Sequence, residues 1–267
     1  MTEPKRTHRS VSQINTYLGC SEAYRLKYVD KPPLPPMPAA WLAQGTAYHE
    51  TIQVWEESGR SPSVDLTETF HSKYDLAIAK MKEDQPDLRL WLKAPRKKTE
   101  DDIEERRVRG LKQVQDYVDY AEENPFYFAP LDEWTLGIEV PFEVTLGGIL
   151  IRGGIDQIHL ITDDPMDGVH VVDLKTGNRE SASIQLGTYK VAVEKIFGWP
   201  VKKASFFYAK DSKMVGLDKA DLERYTEPYV SELYSALNRG IENRVFIPNP
   251  GGQCLLCPVK KYCREFI

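Results

Sequence analysis

Three acidic side chains occupy successive stretches of the sequence that have the alternating pattern of β-strands. Glu139 lies in GIEV, Asp156 in GGIDQI and Asp173 in VVDLK. Because strands that pair in chain order can place such residues at neighbouring positions on one face, we expect the three carboxylates to cluster. Clustered carboxylates repel one another and their pKa values rise, and a hard divalent cation relieves that repulsion. The sequence therefore predicts a Mg²⁺ or Mn²⁺ site.

Lys175 follows Asp173 by two positions, which places both side chains on the same face of a strand. A bound divalent cation lowers the pKa of its water and neutralises charge on a phosphoryl group. An ammonium group beside it would stabilise the charge that develops on the phosphate in the transition state. These residue types favour hydrolysis of a phosphodiester. The spacing alone fits a surface ion pair on an edge strand equally well.

Further side chains could complete the site. His49, in GTAYHETIQ, carries an imidazole that would favour Mn²⁺, since nitrogen ligands suit transition metals. Gln185 and Tyr189 are four residues apart and share one face of the helix predicted after the acidic strand, where their polar ends could contact a phosphate or orient Lys175. A structural or exposed histidine, and a helix face that packs Tyr189 on the sheet, are the alternatives.

The sequence has four cysteines, and three of them lie near its end. Cys254, Cys257 and Cys263 form a C-x2-C-x5-C pattern, and the fourth is Cys20. This set is typical of one cysteine-ligated centre, either Zn²⁺ or an iron–sulfur cluster, and the spacing does not separate the two. A centre with all four would join the two ends of the fold.

The patterns predict a helical amino-terminal half and a sheet in the second half. Helices are expected in SVSQINTYLGCSEAYRLKYV, AAWLAQGTAYHETIQVWEESGR and KTEDDIEERRVRGLKQVQDYVDYAEEN, and more weakly over residues 60 to 99. Three antiparallel strands should follow, then a helix over SASIQLGTYKVAVEKIF, a strand over KKASFFYAK and one long final helix from LDKADLERY onwards. The expected fold class is α/β or α+β.

Composition indicates an ordinary globular protein. Of 267 residues, 41% are hydrophobic and 28% charged, with a net charge of −5, which disfavours non-specific coating of nucleic acid. The sequence predicts neither a membrane span nor a signal peptide, so a cytoplasmic location is expected, where disulfides are disfavoured. Local basic clusters could still guide DNA, together with Phe206, Phe207 and Tyr208, although each cluster alone is more typical of a solvated face. They comprise Lys93, Arg96, Lys97, Lys98, Arg106, Arg107, Arg109, Lys202, Lys203, Lys260, Lys261 and Arg264.

These motifs in this order resemble the RecB-like branch of the PD-(D/E)XK nuclease superfamily, and within it the iron–sulfur nucleases: the CRISPR-associated adaptation nuclease, the AddB nuclease domain and phage exonucleases of that type. The resemblance spans Cys20 to Cys263, although Ile155 stands where the superfamily has its nominal proline. It implies a restriction-endonuclease-like core with a mixed sheet flanked by helices. It also implies roles for individual residues: metal ligation by His49, Asp156 and Asp173; catalysis by Lys175 with a Gln-x-x-x-Tyr element at Gln185 and Tyr189; a less regular acidic position at Glu139; and a [4Fe–4S] cluster on Cys20, Cys254, Cys257 and Cys263.

The expected organisation is a single nuclease domain over residues 1–267. Within it we expect a helical subdomain over 30–130, a core sheet with the active site over 131–215, and an iron–sulfur region formed by 250–267 with Cys20. Residues 60–130 match no motif of the family and should form a helical wall.

The expected activity is Mg²⁺- or Mn²⁺-dependent hydrolysis of DNA, as an exonuclease on single-stranded or end-bearing DNA in recombination, repair or phage DNA processing. Some relatives act alone and others inside helicase or integrase complexes, so a helicase or recombination protein is the expected kind of partner, and a membrane is not. Two alternatives stay open: a catalytically inactive DNA-binding scaffold with a metal-cluster staple, and a zinc-stapled structural protein.

Overall fold

The helical amino-terminal half accounts for five helices in the computed structural model, which describes residues 8–177 and 182–266. The hydroxyl of Ser10 caps the first helix by accepting a hydrogen bond from the Gln13 N–H. The predicted first helix is interrupted at Cys20, whose backbone is extended, and continues as a short helix and a π-helical turn over Arg25–Asp30. The five helices are α1 (Val11–Gly19), α2 (Ser21–Tyr24), α3 (Ala40–Glu57), α4 (Leu66–Asp84) and α5 (Thr99–Glu123).

A mixed sheet forms the second half, as predicted. Its strands are β1 (Arg9–Ser10), β2 (Ile138–Leu146), β3 (Ile149–Leu160), β4 (Val169–Lys175), β5 (Val201–Tyr208) and β6 (Lys213–Gly216). The strands β2, β3 and β4 pair antiparallel in chain order, β5 runs parallel to β4, and β6 pairs antiparallel with β5. The two-residue β1 pairs parallel with the first half of β3. β1 and β6 are too short to show a periodic pattern in the sequence, and neither was predicted.

Three helices belong to the second half: α6 (Ile184–Phe197), α7 (Lys219–Arg224) and α8 (Glu227–Glu242). The prediction of one long final helix was wrong. Thr226 starts a new helix because its hydroxyl accepts a hydrogen bond from the Tyr229 N–H, and Pro228 in the first turn cannot continue a helix that arrives from before it.

Hydrophobic cores cover both faces of the sheet. Val171 packs in the core that includes α1, α6 and α8, whereas its neighbour Val172 packs in the core that includes α3, α4 and α5. This two-sided burial explains why β4 has apolar residues on both faces, at Val171, Val172 and Leu174, between the polar residues His170, Asp173 and Lys175. The predicted fold class, a mixed sheet flanked by helices after a helical first half, is confirmed. Across the described ranges no helix combines the length and apolar character that a membrane crossing requires.

Candidate active site

The three predicted acidic residues lie in one row across β2, β3 and β4. The pairs Ile138 with Gln157 and Val140 with Ile155 flank Glu139, which therefore lies opposite Asp156. The β3–β4 ladder ends at the pair Gln157 with Val172, so the next position brings Asp156 beside Asp173. Sequential pairing of strands thus produces the expected cluster of carboxylates.

His49 reaches this row from α3. Its Nδ1 atom lies 3.0 Å from Glu139 Oε1 and 3.7 Å from Asp156 Oδ2. The ligand atoms of these three residues all lie within 4.8 Å of one another, and no other group of three or more such side chains occurs among the described residues. One imidazole and two carboxylates are a donor set that suits Mn²⁺ or Mg²⁺, so the side chains fit a divalent cation.

Asp173 lies beside this group but makes other contacts. Its Oδ1 accepts a hydrogen bond of 2.5 Å from Gln185 Nε2, and its Oδ2 lies 2.6 Å from Lys175 Nζ. The side chain is 2% exposed, whereas that of Lys175 is 27% exposed and therefore accessible to a substrate. The resemblance implies metal ligation by His49, Asp156 and Asp173, whereas the compact group contains Glu139 instead of Asp173. Asp173 instead orients Lys175.

Crowded negative charge dominates the electrostatics of the site. Burial, and then repulsion from Asp173, raise the pKa of Asp156 to about 7, although His49 and the Leu174 N–H act in the opposite direction. Burial also raises the pKa of Asp173 despite the neighbouring Lys175. Burial lowers the pKa of His49, but Asp156 and Glu139 outweigh it and raise the value to about 9. The site therefore favours additional positive charge.

Gln185 links β4 to α6. Its amide donates to Asp173 and also lies 2.9 Å from the hydroxyl of Tyr189. Tyr189 is buried against the sheet, with its ring edge-to-face to Phe142 at 5.8 Å, and burial raises the pKa of its hydroxyl. Tyr189 thus packs in the core, as one interpretation of this helix face predicted, and its hydroxyl also contacts Gln185; a contact of either residue with a phosphate stays a prediction.

Glu139 has an unusual backbone conformation. Its φ of +46° lies in the left-handed region, which residues other than glycine rarely adopt within a strand. This local distortion lies at the residue that β2 contributes to the candidate metal-binding group.

The four cysteines line one cavity of about 490 Å³ between the start and the end of the chain. Their sulfurs do not form a compact group, because no three of them lie within 4.8 Å of one another among the described residues. A tetrahedral zinc ion has Zn–S bonds of about 2.3 Å, so it would hold all four sulfurs within 4.8 Å of one another. The predicted cluster is therefore not confirmed, and hydrogen bonds such as Ser21 Oγ to the Ile247 carbonyl, 2.9 Å, join the two ends.

The aromatic run on β5 cannot guide a DNA strand. Phe206, Phe207 and Tyr208 are all at least 95% buried because β5 lies inside the sheet with both faces covered. Basic residues of the helical half pair with nearby acids, for example Lys97 with Glu105 at 2.5 Å and Arg107 with Asp75 at 2.9 Å, as expected of solvated faces.

A second cavity, of about 430 Å³, adjoins the site and was not predicted. Lys175, Gln185 and Tyr189 form one side of it, and Arg152 and Ser12 lie among its other residues. The sequence feature that could have indicated this cavity is the pair Gly153 and Gly154, because glycine inside a strand often marks the close approach of a ligand or another backbone.

Comparison with known proteins identifies the family. The model of the PD-(D/E)XK nuclease superfamily matches residues 8–264. The Gene 69 protein of Mycobacterium phage D29 is 33% identical over 274 residues, covering 100% of both chains, and that of phage L5 is 29% identical over 285 residues, covering 97% of this chain and 96% of the relative. A crystal structure from Eubacterium rectale, of a protein named as an exonuclease, aligns over 96% of this chain and 88% of the other with a TM-score of 0.48 and 12% identity, too distant to support an argument. The match over nearly the whole sequence shows that this chain belongs to the PD-(D/E)XK nuclease superfamily.

Proposed function

We propose that this nuclease is a divalent-metal-dependent deoxyribonuclease that hydrolyses phosphodiester bonds of single-stranded or end-bearing DNA. The observation that carries the proposal is the group of His49, Glu139 and Asp156 next to the Asp173–Lys175 pair. The preference for ends, and a role in recombination, repair or phage DNA processing with a helicase or recombination partner, are proposed from the resemblance to phage exonucleases.

The residues divide into those that hold the cation and those that act on the phosphate. His49, Glu139 and Asp156 would hold Mg²⁺ or Mn²⁺, with the carboxylate of Asp173 adjacent. The cation, when bound, supplies Lewis acidity and lowers the pKa of water. Lys175 offers its ammonium group to the phosphate oxygens that gain charge in the transition state, and Asp173 keeps that group at the site. Gln185 fixes Asp173 from α6.

The direct test is Lys175→Ala on end-labelled linear DNA and on circular single-stranded DNA with Mg²⁺ or Mn²⁺. We expect cleavage to fall by at least about 100-fold because charge stabilisation in the transition state is lost. Cleavage is compared at a temperature where all variants are folded, because the buried Asp173 also loses its cation and stability falls. Lys112→Ala is the matched control, since Lys112 also lies 2.6 Å from an aspartate, Asp116, but on the surface of α5. Equal cleavage by Lys175→Ala and Lys112→Ala would contradict the proposed role of Lys175.

The alternative of an inactive DNA-binding scaffold predicts DNA binding without cleavage by the wild-type protein. The metal-ligating group and the Asp173–Lys175 pair are all in place, which argues for an active enzyme. Cleavage confined to linear substrates would support an exonuclease, and cleavage of circles would support an endonuclease.

We further propose that the four cysteines bind a [4Fe–4S] cluster, with Zn²⁺ as the alternative. All four line the same cavity, and a polynuclear cluster holds its cysteines on different iron atoms, so it accepts sulfurs further apart than one zinc ion does. Anaerobically purified protein should be brown and contain iron and acid-labile sulfide. Colourless protein with one zinc ion would support the alternative, and protein with neither metal would refute both.

A further inference from the structure

The cavity beside the catalytic lysine extends away from the metal-ligating group. Lys175, Gln185 and Tyr189 border it on the catalytic side, and its volume is about 430 Å³. The glycine pair of β3 and the first turn of α1 form the remainder of its lining. It is therefore continuous with the position at which the scissile phosphate would lie.

The charge of this cavity differs from that of the whole protein. The chain has a net charge of −5, but the cavity lining contains two cations, Arg152 and Lys175, and no carboxylate. Arg152 pairs with Glu143 of the neighbouring strand at 2.5 Å, and both side chains are about half exposed at 52%. Because exposed ion pairs contribute little free energy, an anion can compete with Glu143 for the guanidinium group.

Backbone is accessible within the cavity at Gly154. A Cβ atom built on Gly154 meets no atom within 4 Å, so packing against the protein does not require glycine at this position. By contrast, a Cβ on Gly153 would lie 2.6 Å from the ring of Phe142. Gly153 is explained by packing, and Gly154 leaves room for a group that approaches the strand closely.

The first turn of α1 adds polar groups on the opposite side. The hydroxyls of Ser10 and Ser12 lie 2.9 Å apart, and Asn15 Oδ1 is buried without a hydrogen-bond partner. All three residues line the cavity. An unsatisfied buried carbonyl oxygen is costly, and Oδ1 can only accept a hydrogen bond, so Asn15 can bind an N–H or O–H group of a ligand. The N-terminus of the helix adds partial positive charge.

We propose that this cavity binds the phosphate group next to the scissile one on the substrate strand. Arg152 provides the charge, and the Ser12 hydroxyl donates a hydrogen bond to a phosphate oxygen. Asn15 Oδ1 accepts a hydrogen bond from the adjoining nucleotide, and Gly154 allows the sugar–phosphate backbone to approach β3. The inference rests on the proposed nuclease function, and it identifies Arg152 and Ser12 as substrate-binding residues outside the metal-ligating group.

The test compares Arg152→Ala with Arg239→Ala. Arg239 is a matched control because it is 57% exposed, pairs with Glu232 at 2.5 Å, and lies outside the cavity on α8. Binding of 3′-labelled oligonucleotides is measured by fluorescence anisotropy with Ca²⁺ in place of Mg²⁺. We expect about tenfold weaker binding for Arg152→Ala and a salt-dependence slope lower by about 1, because one phosphate contact is lost. Ser12→Ala should weaken binding less, and Arg152→Lys should restore part of it.

Cleavage kinetics provide the second readout. Arg152→Ala should raise KM while kcat at saturating DNA stays within about twofold, whereas Lys175→Ala lowers kcat. Binding is also measured on DNA with a 5′-phosphate, on DNA with a 5′-hydroxyl and on circular DNA without ends. If Arg152→Ala weakens binding only of DNA with a 5′-phosphate, the cavity binds a terminal phosphate. If it weakens binding of all three substrates equally, the cavity binds an internal phosphodiester. Identical binding and salt slopes for Arg152→Ala, Arg239→Ala and wild type overturn the inference even when wild-type protein cleaves DNA. No cleavage by wild type overturns the proposed function instead, and the binding measurement still decides the inference.

Discussion

The buried carboxylate of Asp173 connects β4, which carries Lys175, to α6, the next helix along the chain. Asp173 accepts a hydrogen bond from Gln185 on one oxygen and contacts Lys175 with the other. Residues that hold a ligand or a catalytic group in place typically affect metal affinity and activity although they touch neither metal nor substrate. Gln185 therefore has the position of a residue that orients the site.

Gln185→Ala tests this role. We expect Mn²⁺ affinity, measured by isothermal titration calorimetry, to fall by about tenfold, because Asp173 loses the donor that fixes its negative charge beside the group that would hold the cation. Gln115→Ala is the control, since Gln115 donates to Asp119 at 2.9 Å in a similar pair on the exposed surface of α5. Unchanged affinity in Gln185→Ala would show that Lys175 alone is sufficient to position Asp173.

The raised pKa of Asp156 predicts a pH dependence of stability. The pKa is about 7 in the folded, metal-free protein against an ordinary value of 3.8, so between these values the folded chain keeps a proton that the unfolded chain loses. The stability of the metal-free protein should therefore fall as pH rises through this window, by at most about 1.4 kcal/mol per pH unit from this group. Thermal unfolding with a chelator measures this, and Asp156→Asn should reduce the slope. Equal slopes would contradict the assignment.

At the scale of elements, the sequence predicts what depends on local pattern. The order β2, β3, β4 and the row from Glu139 to Asp173 follow from alternation and from pairing in chain order. The position of His49 beside Glu139 does not follow from local pattern. It depends on how α3 packs against a strand that lies 90 positions later in the chain. The Arg152 cavity was missed for the same reason, since it joins α1, β3 and α6.

Replacement of two helical glycines by alanine should change the free energy of unfolding in opposite directions. A Cβ on Gly187 in α6 would lie 2.1 Å from the ring of Tyr225, whereas one on Gly45 in α3 would lie 3.5 Å from Thr176 Oγ1, an ordinary contact. Gly45→Ala should raise the free energy of unfolding by up to about 1 kcal/mol through helix propensity. Gly187→Ala should lower it by about 1–3 kcal/mol through overpacking. Urea denaturation measures both, and stabilisation by Gly187→Ala would show that Tyr225 moves freely.

At the scale of the whole molecule, the two ends of the chain meet around one buried acid. Glu22 in α2 is fully buried and pairs with Arg25 at 2.7 Å and with Arg264, near the end of the chain, at 3.4 Å. The hydrogen bond from Arg25 lowers the pKa of Glu22 despite burial. The sequence indicated that the ends meet, through the cysteines, but it gave no sign that a carboxylate would take part.

Glu22→Gln should therefore destabilise the protein by about 1.5–3 kcal/mol, because Arg25, whose side chain is only 22% exposed, loses its charge-assisted hydrogen bonds. The carboxyl-terminal segment should also be cut faster in limited proteolysis. Glu232→Gln is the control, since its pair with Arg239 is exposed and should matter by less than about 1 kcal/mol. Equal stability of the two variants would show that other contacts hold the ends together.

The left-handed backbone at Glu139 means that, under the proposed function, stability and metal binding favour different residues at position 139. Glycine would adopt that conformation without the penalty of about 1–2 kcal/mol that a side chain incurs there. A glycine would also remove one of the oxygen donors that His49 and Asp156 need as a neighbour. Under the proposed function, this glutamate lowers conformational stability in order to provide a metal-binding oxygen.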